Sequence, residues 1–480
     1  MSKAAPVIVW FRQDLRLADN PALHAAAQSG VPVIPLYILD ETPGVRPMGG
    51  ASLWWLDKSL RALGKDLEQA GAALVLRRGE ARAVLDDLVA ETGAAAIYWN
   101  RLYDAGAIAC DSAIKQALTD RGVAVTSYNG ALLNEPWTVK TGAGDFYKVF
   151  TPYWRAARGQ VEDRPALPRP TLLAGDKTPS DSLDDWALHP RRPDWSTGFD
   201  IWTPGEAGAR EALDSFLDER LRDYPTDRDR PGVAGISRLS PHLHFGEIGP
   251  LQVWRAVHSR AMQANGLDGA ADKFLAELGW REFNHHLLFH RPRLPTDNFR
   301  PEFDAMTWRD DPVGLRAWQR GLTGYPLVDA GMRELWATGF MHNRVRMVAA
   351  SFLIKDLMID WRIGEAWFWD TLVDADIAQN AANWQWVAGS GADASPYFRV
   401  FNPSGQGERF DPGGAYVRRW VPEIARLPDA VLHAPWTAKP AELRAAGVVL
   451  GETYPKPIVD HATARERALA AYAALKKEPA

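Results

Sequence analysis

The chain has 480 residues, 46% hydrophobic and 24% charged, with a formal net charge of −5. That length exceeds one typical core and predicts two or three domains, while the composition excludes a disordered chain and leaves no apolar run long enough to span a membrane. The mild acidity excludes a uniformly basic nucleic-acid coat but not a local cationic patch, and one cysteine, Cys110, excludes an intramolecular disulfide framework and suits a reducing cytosol.

The opening run Met1-Ser-Lys-Ala-Ala-Pro6 carries no cleavable signal pattern. Short continuous apolar runs then follow at Val7–Trp10, Val33–Leu39, Ala73–Leu76, Ala95–Trp99 and Val123–Thr126. Such runs suit strands covered on both faces, and helical patterns near 21–29, 52–70, 80–91 and 107–121 lie between them. The alternation predicts a doubly wound parallel-sheet α/β domain over 1–130. No G-x-G-x-x-G follows the first strand, so the usual dinucleotide fingerprint is absent.

From 131 to 200 the pattern gives way to Pro, Asp, Arg and Ser, as in Arg164-Pro-Ala-Leu-Pro-Arg-Pro170 and His189-Pro-Arg-Arg-Pro193. Prolines at that density do not hold regular helix, so the stretch reads as an interdomain connector. Beyond it the helical period dominates, at Ala207–Arg222, Leu251–Asn265, Ala271–Phe289, Val313–Leu322, Asp329–Thr338, Arg344–Leu357 and Glu365–Leu372. Residues 201–480 are therefore expected to form an all-helical domain.

Tryptophan is abundant, with 21 residues against 17 Phe and 12 Tyr, and 13 of them fall after residue 200. Indoles lower helix propensity and need a partner for their N–H, so this excess points to stacking, electron transfer or both. Asn343, Arg346, Met347, Asp374, Asp376, Asn380, Trp384 and Trp386 lie among apolar helical stretches and suggest a redox pocket. Asn380 and Trp384 are four apart and share a helix face, as do Glu277, Trp280 and Arg281, and Asn343, Arg346 and Met347. Taken alone, each has a plainer explanation. A single Trp is core packing, Ser237-Arg-Leu-Ser240 is a turn and helix cap, Glu277 is a surface ion pair, and Asp374-Ala-Asp376 is a solvated turn or, less favourably, a divalent-metal site.

Seven runs nevertheless resemble, in order, those of the DNA photolyase and cryptochrome family: Trp10-Phe-Arg-Gln-Asp-Leu-Arg-Leu17, Ser237-Arg-Leu-Ser240, Trp280-Arg-Glu-Phe283, Thr323-Gly-Tyr-Pro326, Met341-His-Asn-Arg-Val-Arg-Met347, Trp384-Gln-Trp386 and Tyr397-Phe-Arg-Val-Phe-Asn-Pro403. The resemblance implies an N-terminal Rossmann-like antenna domain and a helical domain that holds FAD, active as FADH−. It implies flavin contacts from Tyr224, Ser237, Arg238, Leu239, Ser240, Arg281, Asn343, Arg346, Asp374, Asp376 and Asn380, with Asn380 at the flavin N5 and its amide able to accept or, rotated, to donate. Trp384, Trp361 and Trp308 match the family's electron-transfer chain.

On the substrate side the resemblance implies that Glu277 bonds the damaged bases as a buried acid and that Trp280 and Trp386 sandwich them. Met347 lies beneath, with Asn343 and Arg344 also in contact. His285, His286, His290, Arg291, Arg293, Arg344, Arg399 and Arg409 are expected to supply phosphate-binding cations. The implied activity is light-driven repair of cyclobutane pyrimidine dimers in UV-damaged double-stranded DNA, by electron transfer from excited reduced FAD to a flipped-out dimer. Photolyases are known to act on a nucleotide extruded from the duplex, and the resemblance implies the same here.

Asn343, where the (6-4) enzymes carry His, and Asn380, where plant cryptochromes carry Asp, favour dimer repair; the alternative is a cryptochrome-type blue-light receptor signalling through a protein partner. A second, antenna chromophore is expected to be methenyltetrahydrofolate, or else 8-hydroxy-5-deazaflavin, with Glu41 and Asp104 as contacts. Ala105-Gly-Ala107 departs from the Asn-Glu pair of some folate-binding relatives, and Phe340 and Phe274 also depart from the family pattern. No His/Cys/Asp group has zinc-site spacing, and a monomeric, cytoplasmic protein without a metal, drawn to the nucleoid when on DNA, is expected.

Overall fold

The computed structural model describes residues 4–190, 193–394 and 398–475. Met1–Lys3, Arg191, Arg192, Tyr397 of the Tyr397–Pro403 run and the last residues, to Ala480, lie outside the described residues.

Five parallel strands, β1 (Val7–Phe11), β2 (Val33–Asp40), β3 (Val75–Gly79), β4 (Ala96–Asn100) and β5 (Ala124–Tyr128), form one sheet in the order β3-β2-β1-β4-β5. In register, Val7 lies opposite Val33 on one side and Ala96 on the other. Every residue of central β1 is buried, which is why that strand reads as an unbroken apolar run. β3 begins later than its apolar run because it is an edge strand, where Arg77 and Arg78 can turn outward to Glu91 and Glu41. Helices α1 (Pro21–Gln28), α2 (Gly50–Ala70), α3 (Ala81–Thr92) and α4 (Ala105–Asp120) alternate with the strands. Asn20 caps α1 by accepting from the Leu23 amide, and α2 stops at Gly71, whose φ of 101° only glycine adopts without strain. Ile8, Leu36, Ile97, Leu85, Leu88 and Ile114 close the core on one face.

The helices continue as α5 (Phe150–Arg158), α6 (Glu206–Glu219), α7 (Tyr224–Asp227), α8 (Ser240–His244), α9 (Pro250–Gln263) and α10 (Asp268–His290). Next come α11 (Pro312–Gln319), α12 (Pro326–Thr338), α13 (Asn343–Ser351), α14 (Trp361–Thr371) and α15 (Ile377–Ala388), with shorter helices beyond. Two differences from the sequence pattern matter. Within the expected connector, Phe150-Thr-Pro-Tyr-Trp-Arg-Ala-Ala-Arg158 forms helix α5, because Pro152 falls in the first turn, where its missing N–H costs nothing. The helix expected over Arg344–Leu357 is α-helical only to Ser351 and continues as a π-helix over Phe352–Asp356, which is buried throughout and includes Lys355 and Asp356.

By contacts the chain forms two compact units: Met1–Asp194, Trp202–Leu221 and Ser237–Pro292 in one, and Trp195–Ile201, Arg222–Ile236 and Arg293–Ala480 in the other. These do not follow the expected division at 130 and 200. In the first unit, the buried Glu282 of α10 accepts from the amides of Leu133 and Asn134 at 2.8 and 3.3 Å, which ties residues just past the sheet to this helix. Burial pushes the Glu282 carboxyl up to about 7. The second unit has its own core, centred on Trp318, Phe352, Leu353, Trp361 and Phe368. Among the described residues no helix is long and apolar enough to cross a membrane.

Candidate active site

In the second unit the site is built around α13, α14 and α15. Asp376 begins α15 by accepting from the Ala378 and Gln379 amides at 3.0 and 2.9 Å, the geometry of an N-cap. Asp374 and Asp376 are both buried, so the solvated-turn reading of Asp-x-Asp fails. Asp374 instead takes both of its oxygens to Arg346 Nη2, at 3.1 and 2.9 Å, while Arg346 Nε donates to the Met341 carbonyl at 2.7 Å. The guanidinium also lies 5.1 Å from the Phe340 ring, so the family departure at 340 still supplies an aromatic face. Asn343, Arg346 and Met347 share one face of α13 as expected, with Asn343 exposed and the other two half-buried.

Asn380 is buried, and its Nδ2 donates to Glu365 twice, to the backbone carbonyl at 3.0 Å and to Oε1 at 2.8 Å. Both partners only accept, so the orientation is fixed and Oδ1 is the atom presented elsewhere; the amide rotation expected from sequence is not available without losing both bonds. Trp384, one turn on, packs against α14. A Cβ at Gly364 would meet its ring at 2.2 Å. The rings that touch Trp384 are Phe368 at 5.0 Å and Trp318 at 6.3 Å, not Trp361 or Trp308. Trp361 is fully buried with its N–H on Asn298 Oδ1 at 3.0 Å, and Trp308 is half-buried at the edge of the same core. Of the three expected chain members, Trp384 and Trp361 are thus buried and Trp308 is half-buried. Trp386 is half-buried and donates to the Asp393 carbonyl at 3.1 Å.

Sequence reasoning missed Glu365 and Trp318. Glu365 has no motif around it, and Trp318 sits in a pattern that reads as an ordinary amphipathic helix. Tyr224 is buried at the start of α7 with the Arg228 guanidinium 5.6 Å from its ring. Arg344 pairs with Asp229 at 2.8 Å and covers Phe410 at 4.3 Å.

In the first unit, Ser237–Ser240 forms a turn in which Arg238 has a φ of 56°, a conformation that L residues seldom take and that is frequent at functional sites. Leu239 is buried, Ser237 accepts from the Leu239 amide at 3.4 Å, and Ser240 is exposed at the start of α8. The short helix is anchored behind: fully buried Glu247 accepts from Trp55 Nε1 at 3.0 Å, from the Gly205 amide at 2.7 Å, and meets His242 Nδ1 at 2.5 Å. On α10, Glu277, Trp280 and Arg281 share the expected face. Glu277 is half-buried, and Arg281 donates to the Ala131 carbonyl at 2.9 Å. Phe274 packs on Phe216 with centroids 4.5 Å apart.

The expected histidine cations need correction. His286 is fully buried, accepts from the Tyr147 amide at 3.1 Å and faces the Pro136 carbonyl at 3.0 Å through Nδ1, so it is neutral; burial lowers its pKa to about 4. His285 is buried, and burial lowers His290, which stacks on Phe146 at 4.8 Å. The exposed cations are arginines: Arg291, Arg293, Arg399 and Arg409.

At the carboxyl ends of the strands, Arg12 pairs with Asp111 at 2.6 Å and donates to the Asn100 carbonyl, filling the switch point between β1 and β4. Asp104 caps α4 through the Ala107 amide at 3.0 Å, and Glu41, exposed, pairs with Arg78 at 2.8 Å.

Within the second unit, the residues suit an aromatic, anionic cofactor such as FAD: a cation held in place by Asp374 and a fixed amide acceptor at Asn380. Within the 341–347 run, buried His342 Nε2 and Arg344 Nε have no hydrogen-bond partner among the described residues, as expected where an acceptor group belongs.

Comparison with known proteins agrees. A family model described as "DNA photolyase" matches residues 7–171, and one described as "FAD binding domain of DNA photolyase" matches residues 274–474. The chain is 56% identical, over 99% of each chain, to a deoxyribodipyrimidine photo-lyase of Agrobacterium fabrum, and 40% identical to Cryptochrome-1 of Arabidopsis thaliana, over 95% of this chain and 69% of that one. Its fold matches the crystal structure of a class III photolyase from Agrobacterium tumefaciens with a TM-score of 0.96 at 54% identity, covering 100% of this chain and 99% of the other.

Proposed function

Because the chain belongs to the DNA photolyase family, we propose the following reading of its site, with light-driven repair of cyclobutane pyrimidine dimers in DNA as the activity and FAD as the cofactor. The observation that carries it is the pair between half-buried Arg346 and buried Asp374, placed just ahead of the helix that holds Asn380. When bound, FAD supplies the light-driven electron. Arg346 balances negative charge on the flavin, and Asp374 keeps that cation oriented without cancelling it from outside. Asn380 offers its fixed Oδ1 to the flavin N5 as an acceptor, and Asp376 holds the flavin edge while it caps α15. Tyr224, Asn343, Arg281 and the Ser237–Ser240 turn complete the cofactor contacts, the turn at the pyrophosphate.

Trp384, Trp361 and Trp308 carry electrons inward from the surface during photoreduction. Glu277 bonds the damaged bases, Trp280 and Trp386 each offer a stacking face, and Met347 adds a soft apolar contact. Asn343 and Arg344 approach the lesion, Arg344 exchanging Asp229 for a phosphate. Damaged double-stranded DNA is the partner, met by a monomer in the cytoplasm and nucleoid. Glu41 and Asp104 mark the antenna site, for methenyltetrahydrofolate first and 8-hydroxy-5-deazaflavin second.

The 40% identity to a plant cryptochrome supports a light-sensing alternative, which requires flavin photochemistry without dimer turnover. One experiment separates the two. Purified protein is photoreduced, mixed with a thymine-dimer oligonucleotide and illuminated with blue light; restored thymine absorbance is expected, and its absence would sink the repair reading. Glu277→Gln is expected to lower repair with FAD still bound.

A further inference from the structure

The ring of Phe150, the first residue of α5, lies on Trp280 with centroids 3.8 Å apart and planes only 8° from parallel. Aromatic pairs left to themselves settle at about 4.5–7 Å, offset or edge-on, because two π faces repel. A tighter, parallel contact has to be imposed by the frame, and the frame is visible. One turn along α5, Trp154 lies almost parallel to Phe150, 6.5 Å away at 11°. Trp154 in turn lies against Gly279 of α10, where a Cβ would meet its ring at 2.6 Å. Its far side is fixed edge-on by Trp254 at 5.9 Å and 82°.

The glycine therefore lets one helix bring two stacked rings alongside the other, Trp154 level with Gly279 and Phe150 level with Trp280. Phe283 meets Trp280 at 5.9 Å and 73°, and no further ring touches that indole among the described residues. Phe150 and Trp280 are both half-buried, whereas Trp154, Gly279 and Phe283 beneath them are buried. A pair that served packing alone would be expected in the buried layer.

We propose that Phe150 is a positioning residue for the repair reaction. It occupies one face of Trp280, with Gly279 and Trp154 as its footing, so that the damaged base meets a single preset face of the indole. This rests on the assignment of Trp280 to the substrate made above. A platform that is already immobile loses no rotamer freedom when the base arrives, which raises affinity for the lesion without adding a contact.

The test compares Phe150→Leu, Phe150→Trp, Gly279→Ala, Trp280→Ala and the double variant Phe150→Leu/Trp280→Ala, all as FAD-loaded protein, for binding to a duplex with one thymine dimer and to the same duplex undamaged. Phe150→Leu is expected to weaken dimer binding about threefold to tenfold, the worth of an aromatic pair. Undamaged-duplex affinity and FAD content should be unchanged. Phe150→Trp should restore discrimination, Gly279→Ala should reproduce the loss, and in the Trp280→Ala background Phe150→Leu should add nothing. If Trp280→Ala itself leaves discrimination intact, the substrate assignment beneath the proposal is wrong. If Trp280→Ala lowers it but Phe150→Leu does not, or if Phe150→Leu is equally harmful with and without Trp280, the positioning role is overturned and the substrate assignment stands.

Discussion

Asn380 is held by Glu365: one amide nitrogen donates to both the backbone carbonyl and the side-chain carboxyl of the same residue, at 3.0 and 2.8 Å. This fixes which atom Asn380 presents, and it makes the effect of the natural cryptochrome residue calculable. With Asn380→Asp, two carboxyl groups face each other at hydrogen-bond distance in a buried site, and they cannot both ionise. The pair should retain one proton well above the ordinary carboxylate range. A pH titration of the variant's flavin absorbance from pH 5 to 9 should show a transition that the parent lacks; superimposable titrations would count against the geometry.

Removing the cation beside Asp374 should cost more than removing a surface ion pair. The Asp374 side chain is 4% exposed, so Arg346→Leu takes the arginine cation away from a buried carboxylate, a loss on the order of 1–3 kcal/mol. The expected result is a lower FAD-to-protein ratio and a lower melting temperature, both partly recovered by Arg346→Lys. Full FAD occupancy in the leucine variant would exclude Arg346 as a cofactor residue.

Acid should destabilise the fold through two buried imidazoles. Burial lowers both His286 and His342 to about 4, below their value of 6.5 in the unfolded chain. The folded state thus binds fewer protons between those values, and stability falls as pH drops from 6.5 towards 4. The contribution is on the order of 3 kcal/mol at most for each ring. Chemical denaturation across that range should show the slope, and His286→Gln should reduce it by about one proton; an unchanged slope would mean His286 is protonated in the fold.

Lys355 acts in the alkaline range. Burial in the π-helix lowers its amine to about 7, although its Nζ donates to the Arg399 carbonyl and lies 4.2 Å from the Phe398 ring. Since the unfolded amine holds its proton to about 10.5, stability should rise with pH between 7 and 10.5. Lys355→Met should therefore be most stabilising relative to the parent below pH 7, with the gap closing steadily above it. A gap that does not depend on pH would show that the amine stays charged in the fold.

Photoreduction and repair should separate at Trp361. This indole is fully buried, so Trp361→Phe keeps an aromatic ring in the core but removes the easily oxidised indole, the hydrogen bond to Asn298 and part of the buried volume. Light-driven reduction of the flavin should slow by an order of magnitude or more, while chemically reduced protein repairs at the parent rate. Equal slowing of both would place Trp361 elsewhere in the reaction.

The sheet was legible because its central strands β1, β2 and β4 are almost wholly apolar, and the candidate site because its residues sit in compact runs at helical spacing. What was not legible depended on burial. His286 reads as a cation beside Arg291 and Arg293, but a string of residues does not show that it accepts an amide proton from a loop 139 residues away. Asp374 and Asp376 read as solvated because acidic residues usually are. Glu365 carries no signal of its own, since its role arises only when α14 packs on α15. Phe150 was hidden by the prolines that follow it, which obscured the helix whose first residue it is.

Asp376 joins two selective pressures in one side chain. Its Oδ1 starts the helix that carries Asn380, Trp384 and Trp386, a cap worth about 1 kcal/mol, and the same carboxyl is the proposed contact at the flavin edge. A lineage drifting from repair towards signalling can change Asn380 and keep its scaffold, because Asn380 supports no backbone amide. Asp376 is tied more closely: a residue without a capping oxygen would lose the proposed flavin contact and fray the helix together, and only Asn, Ser or Thr would keep the cap. Of the two side chains, only that of Asp376 also holds the start of a helix.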